Sequence, residues 1–197
     1  MRKYDKALAI FFALCSIGLL IGFIFNRDLL NWAFVRHHNQ LSWYIRPIFI
    51  IPFCFFAFKR SLTGISFTLF CIFTSMFWFP EPSSVDANVQ EFLQYEVDYL
   101  TGDWGISKIL LTLVVPLSLT LLALAFWQRN IWFGLSIMAF IAIGKVGWSI
   151  IYAGDSGKSI IIPAILGLVV CMVFVYLGIT RNKRRQNSEK MLSRKSI

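Results

Sequence analysis

A lysine and a glutamate stand where the surrounding sequence is apolar. Lys145 lies inside a stretch that runs from Ile131 to Tyr152 with no other charge. A lysine at mid-bilayer costs roughly 2.5–3.5 kcal/mol on insertion scales, so such residues face a bundle interior or a wet cavity. At about 100° per residue, Lys145 shares a helix face with Trp148, Ser149 and Tyr152. One cation, one hydroxyl and two amphipathic aromatics would suit an anionic or polar ligand. Glu96 projects near the middle of the apolar arc of a second helical stretch. A carboxylate there must reach water, take up a proton or meet a cation. Lys145, Arg46 and Lys108 are the cations on offer. Two readings stand side by side, an ion pair that fastens a helix and a site carboxylate. The candidate pocket is Arg46, Glu96, Lys145, Trp148, Ser149 and Tyr152.

Other groups carry less. His37 and His38 are adjacent, so on a helix they point about 100° apart and do not chelate one metal as an i, i+4 pair does. Tyr152-Ala-Gly-Asp-Ser-Gly-Lys-Ser159 imitates a phosphate loop, but position 152 is Tyr instead of Gly and no strand precedes it. As a serine-protease Gly-Asp-Ser-Gly it lacks a β-barrel and a His–Asp pair. A short flexible turn accounts for it. A retinal-type Schiff base on Lys145 would need a seventh helix and a counter-ion within the spans. No Cys-x-x-Cys, His-Glu-x-x-His or Gly-x-Ser-x-Gly pattern occurs. No catalytic residue, metal site or cofactor is expected, and the balance leans against an enzyme.

The elements that must position these residues follow from composition. Of 197 residues, 57% are hydrophobic, 17% aromatic and 15% charged. A soluble domain averages about 45–50% apolar and about 25% charged. So few charges cannot cover a water-soluble globule, and so apolar a chain is not disordered. An all-α integral membrane protein is expected, forming one polytopic domain over residues 1–180. A span needs about 20 apolar residues. Six stretches qualify, at about 7–25, 41–58, 61–79, 109–127, 131–152 and 160–180. The second is shorter and carries Arg46, Pro47 and Pro52. The first has the basic start of a signal peptide, but its apolar run is long and no small-residue cleavage site follows. It is expected to be a retained helix.

Loop charges set the expected orientation. The chain carries 19 Lys and Arg against 10 Asp and Glu, a net charge of +9. Thirteen basic residues fall before span one, between spans two and three, between four and five, and after six. Five fall on the other side, which holds eight of the ten acids. By the positive-inside rule, both termini are expected to be cytoplasmic. The cytoplasmic membrane of a bacterium is the expected home. The basic tail, residues 181–197, reads as a topology determinant that touches anionic lipid headgroups, with no role in binding nucleic acid. Cys15, Cys54, Cys71 and Cys171 all fall within spans, as packing residues and not a disulfide framework.

Two outer segments are too long to be turns. Residues 28–38 and 84–101 are expected to form interfacial amphipathic helices. The second would be opened by Ser83-Ser84-Val85-Asp86 as a capping box and closed at Gly102. Gly64, Thr68, Cys71 and Ser75 form a small-residue stripe for close helix packing. An echo links Ala57-Phe58…Arg60…Gly64-Ile65-Ser66 to Ala125-Phe126…Arg129…Gly134-Leu135-Ser136.

The leading expectation is a non-catalytic membrane module with an outer-leaflet pocket. Its ligand would be a lipid headgroup, a small amphipathic molecule or a partner helix. It would work alone, as a homo-oligomer or beside a membrane partner subunit. A small oligomeric transporter or channel is the first alternative, although Lys145 and Arg46 are the only ionisable groups the spans offer. A membrane enzyme acting on lipid is the second, with His37, His38, Glu96 and Asp155 as acid–base residues.

Overall fold

The computed structural model describes residues 3–195. Nine α-helices and two short 3-10 turns lie among them, and no strand. The helices are α1 (Lys3–Phe25), α2 (Arg27–His37), α3 (Leu41–Ile48), α4 (Ile50–Phe58) and α5 (Leu62–Thr74). They continue with α6 (Ala87–Thr101), α7 (Ile106–Trp127), α8 (Ile131–Ala153) and α9 (Ile161–Lys195). Five stretches are helical, long and apolar enough to cross a bilayer: Tyr4–Phe25, Leu41–Phe58, Ile106–Trp127, Ile131–Ala153 and Ser156–Arg185. The chain is thus an all-helical protein built for a membrane.

The third expected span is shorter than foreseen. Its helical part runs from Leu62 to Phe77, about 24 Å at 1.5 Å per residue against a hydrocarbon core of about 30 Å. Side chains bond the backbone at that end. Thr74 Oγ1 donates to the Phe70 carbonyl at 2.9 Å and Ser75 Oγ to that of Ile72 at 2.8 Å, where the helix tightens into a 3-10 turn. Such back-bonding bends helices. The second span breaks at Phe49 into α3 and α4, with Pro47 in one and Pro52 in the other. Each proline removes a donor from the ladder. Cys171 Sγ donates to the Pro47 carbonyl at 3.0 Å. Gly167 lets α9 press on this kink, since a Cβ there would come 2.7 Å from that of Pro47.

Helix α4 is the hub, packing on α5, α7 and α9, while α8 closes against α7 and α9. Phe53, Phe58, Leu122, Phe126, Cys171 and Val175 form its core. Helix α1 packs chiefly on α5 and leaves Ile10, Phe11, Leu14 and Ile17 exposed, a surface that suits lipid better than water. The two helices start level. Asp5 of α1 accepts from the Leu62 and Thr63 amides and from the Ser61 hydroxyl, each at 3.2 Å, so it caps α5 from outside. The stripe Gly64, Thr68, Cys71 and Ser75 is buried as a packing face.

The echo in the sequence is a repeated turn. Arg60 and Arg129 both adopt positive φ, 57° and 63°, which costs a non-glycine residue roughly 1–2 kcal/mol. Each ends its helix with a 6→1 and a 5→2 hydrogen bond. These are Ser61 N–H to Phe56 O and Arg60 N–H to Ala57 O, matched by Asn130 N–H to Ala125 O and Arg129 N–H to Phe126 O. The next residue then caps the following helix, Ser61 for α5 and Asn130 for α8. The turns also clasp each other. Arg60 Nε donates to the Trp127 carbonyl at 3.2 Å, and the Arg129 guanidinium lies 5.3 Å from the Phe58 ring centre. With Lys183 over that same ring, one end of the bundle collects positive charge.

A second core closes the opposite end. Leu30, Ala33 and Phe34 of α2 meet Val89, Phe92 and Leu93 of α6, together with Trp43, Met76 and Ala153. The two amphipathic helices therefore form a joined cap on the bundle. Helix α6 starts at Ala87, three residues later than expected. Asp86 is its cap, accepting from the Asn88 amide at 2.9 Å and the Val89 amide at 3.4 Å. The serines upstream stay in the loop, and Val85 and Leu100 are exposed. Helix α9 runs on into the basic segment beyond residue 180, as far as Lys195, because its Lys, Arg and Gln residues favour helix and no Pro or Gly stops it.

Candidate functional site

Glu96 and Lys145 meet. Lys145 Nζ donates to Glu96 Oε1 at 2.7 Å, with the side chains 42% and 20% exposed. Each element brings its residue there for its own reason. Helix α6 turns Val89, Phe92 and Leu93 into the second core. That face carries Glu96 one turn beyond Phe92, toward α8. Lys145 lies eight residues before the end of α8, about 12 Å along its axis. Its ammonium also stands 5.0 Å from the Trp148 ring centre and 5.4 Å from that of Phe92. An ammonium over ring faces gains attraction where water is scarce.

Beside this pair lies a cleft of about 160 Å³ lined by Phe92, Tyr95, Glu96, Asp98, Tyr99, Trp148, Tyr152 and Ala153. Its rings are fixed in a chain. Tyr99 meets Trp148 edge-on at 5.6 Å, and Trp148 meets Tyr152 at 5.3 Å. The Tyr99 hydroxyl shares a 2.9 Å hydrogen bond with Thr112 Oγ1 and donates to the Lys108 carbonyl at 3.2 Å. This ties the end of α6 to the start of α7. Lys108 Nζ lies 4.9 Å from the Tyr99 ring centre and donates to the carbonyls of Gly102 at 2.9 Å and Asp103 at 3.4 Å.

Of the six expected pocket residues, Glu96, Trp148 and Tyr152 line the cleft, and Lys145 joins it through Glu96. Ser149 does not line it. It is wholly buried, and its Oγ has no hydrogen-bond partner. The 3-10 turn Ser156–Ile160 lies over it, where a Cβ on Gly157 would sit 2.1 Å from the Ser149 carbonyl oxygen. The segment read as a flexible glycine–serine turn is thus a packed plug. Ser156 is buried and donates to the Ala153 carbonyl at 2.7 Å. Asp155 pairs with Lys158, which holds its carboxyl below the usual range by hydrogen bond and charge. Arg46 also stays off the cleft wall. Its Nε is buried without a hydrogen-bond partner, and Glu96 is the carboxylate whose field reaches it.

The histidines do not cooperate. His37 is buried, and its Nδ1 bonds Ser42 Oγ at 2.8 Å. That hydroxyl donates to the Asn39 carbonyl, so it accepts from the imidazole, which carries its proton on Nδ1. Trp43 Nε1 donates to the His37 carbonyl at 3.0 Å and completes the corner between α2 and α3. Burial first, then the charges of Arg46 and Lys145, hold the His37 imidazole well below its usual pKa. His38 turns away to the Val35 carbonyl. Among the described residues no cluster of three or more His, Cys, Asp or Glu side chains could hold a metal. The four cysteines are unpaired thiols.

Sequence reasoning missed Tyr95, Tyr99 and Asp98 as cleft residues. All three lie on α6, the helix whose apolar arc carries Glu96. The wall forms where that arc meets its polar edge, a boundary a helical wheel does not resolve. It also missed Asp5, one of two acids on the basic side, whose isolation was the available signal. No protein-family model, no curated protein and no solved structure matches this chain. The class rests on its own architecture, an all-helical membrane protein with a capped aromatic cleft.

Proposed function

We propose that the chain is a six-span membrane module whose capped end faces outward and binds the headgroup of an amphiphile. One observation carries the reading: an ion pair clamps α6 onto α8 beside an aromatic cleft. The supports for orientation are physical. Helices α1 and α5 start level through Asp5. Helix α4 turns directly into α5, so α5 with its 3-10 extension completes the sixth crossing despite its length. Arg60, Arg129 and Lys183 gather at one end, which the positive-inside rule assigns to the cytoplasm. The cleft then opens at the outer headgroup level, where Trp and Tyr concentrate. Its volume suits a head and not a whole drug-sized ligand, for which pockets run to ~300–1,000 Å³.

Mass spectrometry of the full chain, released from mild detergent micelles, tests this. Wild type retains a bound amphiphile, and Tyr152→Leu loses most of it. Equal retention by both overturns the reading. Labelling of single cysteines introduced at Ser84 and Asn130 tests the orientation. Modification from outside must reach position 84 and spare position 130.

A further inference from the structure

The cleft wall selects the sign of its ligand's charge. Five of its eight residues are aromatic, two are carboxylates, and no Lys, Arg or His lines it. Ring faces carry negative potential and attract cations. The chain's own ammonium groups already use them. Lys145 stands over Trp148 and Phe92, and Lys108 over Tyr99. The charge of Lys145 is met by Glu96, and the ammonium of Lys108 is held by two carbonyls. Among the described residues the Asp98 carboxylate accepts only from the neutral amide of Gln94, at 2.9 Å. Its charge and the open faces of Tyr95 and Tyr152, which are 45% and 55% exposed, are left for a ligand.

We infer that the cleft takes the ammonium group, primary or methylated, of an amphiphile and rejects anionic heads. The inference rests on the reading of this cleft as a headgroup site and names its ligand class. An alkylammonium presents a positive charge spread over apolar carbons, which matches ring faces better than a hydrated metal ion does. An anion would meet the Asp98 carboxylate and no cation on the wall itself, the Lys145 ammonium beside it being engaged by Glu96. The head would enter between Tyr95 and Tyr152, with its chain or glycerol leaving along the exposed outer surface.

Two soluble probes separate the charges: choline, an ammonium without phosphate, and glycerol 3-phosphate, a phosphate without ammonium. Saturation-transfer NMR on the full chain in dodecyl maltoside micelles reads binding of each. Choline binds and glycerol 3-phosphate does not. Asp98→Asn and Tyr152→Leu, both at exposed positions that should fold, each weaken choline by about 2–5-fold. Glycerol 3-phosphate binding as tightly as choline, or choline binding unchanged in both variants, overturns the inference. A lipid arm compares nanodiscs of phosphatidylcholine with nanodiscs of phosphatidylglycerol. Choline binding with no preference between the two lipids would overturn the lipid-headgroup reading and leave an ammonium site for a soluble amphiphile. Lipid retention that depends on Tyr152 but ignores the ammonium would overturn this inference alone.

Discussion

Replacing Lys145 by Met and Glu96 by Gln, singly and together, tests what holds the cap to the bundle. The pair is 2.7 Å apart, with Lys145 42% and Glu96 20% exposed. Fully exposed pairs contribute about 0.2–1 kcal/mol, and removing one partner of a buried pair costs about 3–5 kcal/mol. A half-buried pair falls between, so a coupling of about 1–2 kcal/mol is expected, a factor of roughly 5–30 in the unfolding equilibrium. The two single losses should differ. In Glu96→Gln the ammonium keeps the Trp148 and Phe92 faces and, at 42% exposure, can extend outward on its flexible stem. In Lys145→Met the carboxylate is left on the apolar side of α6 with no cation in hydrogen-bond reach. Lys145→Met is therefore the more destabilising. The double variant recovers much of the loss, since neither charge then lacks its partner. Equilibrium unfolding of the four proteins in mixed micelles, followed by tryptophan fluorescence, gives the cycle. Losses that add within about 0.5 kcal/mol would refute the clamp.

Three further outcomes follow from local geometry. The unfolded His37 imidazole titrates near 6.5 and the native one well below it, so between those values the unfolded chain holds more protons. Stability is full above about pH 6.5 and falls as the pH drops toward the native pKa; His37→Asn should flatten that dependence, and an unchanged pH profile would show that His37 does not cause it. Gly157→Ala puts a Cβ 2.1 Å from the Ser149 carbonyl and should cost about 1–3 kcal/mol as overpacking, read as a drop in thermal midpoint. Asp5→Ala should speed hydrogen exchange at the Leu62 and Thr63 amides, which Asp5 accepts from, and leave the amides of α8 unchanged.

What the sequence disclosed, and what it hid, divides along a physical line. Hydropathy and helical period depend on the order of residues, so the long apolar helices and the arc that carries Glu96 could be read directly. That Glu96 and Lys145 each needed a partner was legible because each was costly where it stood; which of Lys145, Arg46 and Lys108 would meet Glu96 was not. The third apolar stretch could be placed but its helix not measured, because hydropathy runs on past the 3-10 turn Ser75–Phe77 where the helix ends. The Tyr152–Ser159 segment reads as flexible from its Gly and Ser content. Its packing arises from Gly157 lying against Ser149, a contact between elements that no local pattern encodes. Ser149 fails as a pocket residue for the same reason: a helical wheel gives its direction but not the turn that covers it.

The pairing also reverses the chemistry that Lys145 implies. Taken alone, a lysine with two aromatics and a hydroxyl on one face calls for an anion. Once Glu96 has met that charge and the plug over Ser149 has removed the hydroxyl, what faces the cleft is ring surface and carboxylate. The cation has become part of the frame. Its position over Trp148 and Phe92 is then an internal precedent for the ligand, because it displays the contact that a bound ammonium would make on the remaining faces. The ion pair and the ligand preference are therefore one arrangement. Restoring a free ammonium beside the cleft through Glu96→Gln should weaken choline binding, even though position 96 loses only a charge. Choline affinity left unchanged by Glu96→Gln would sever that link.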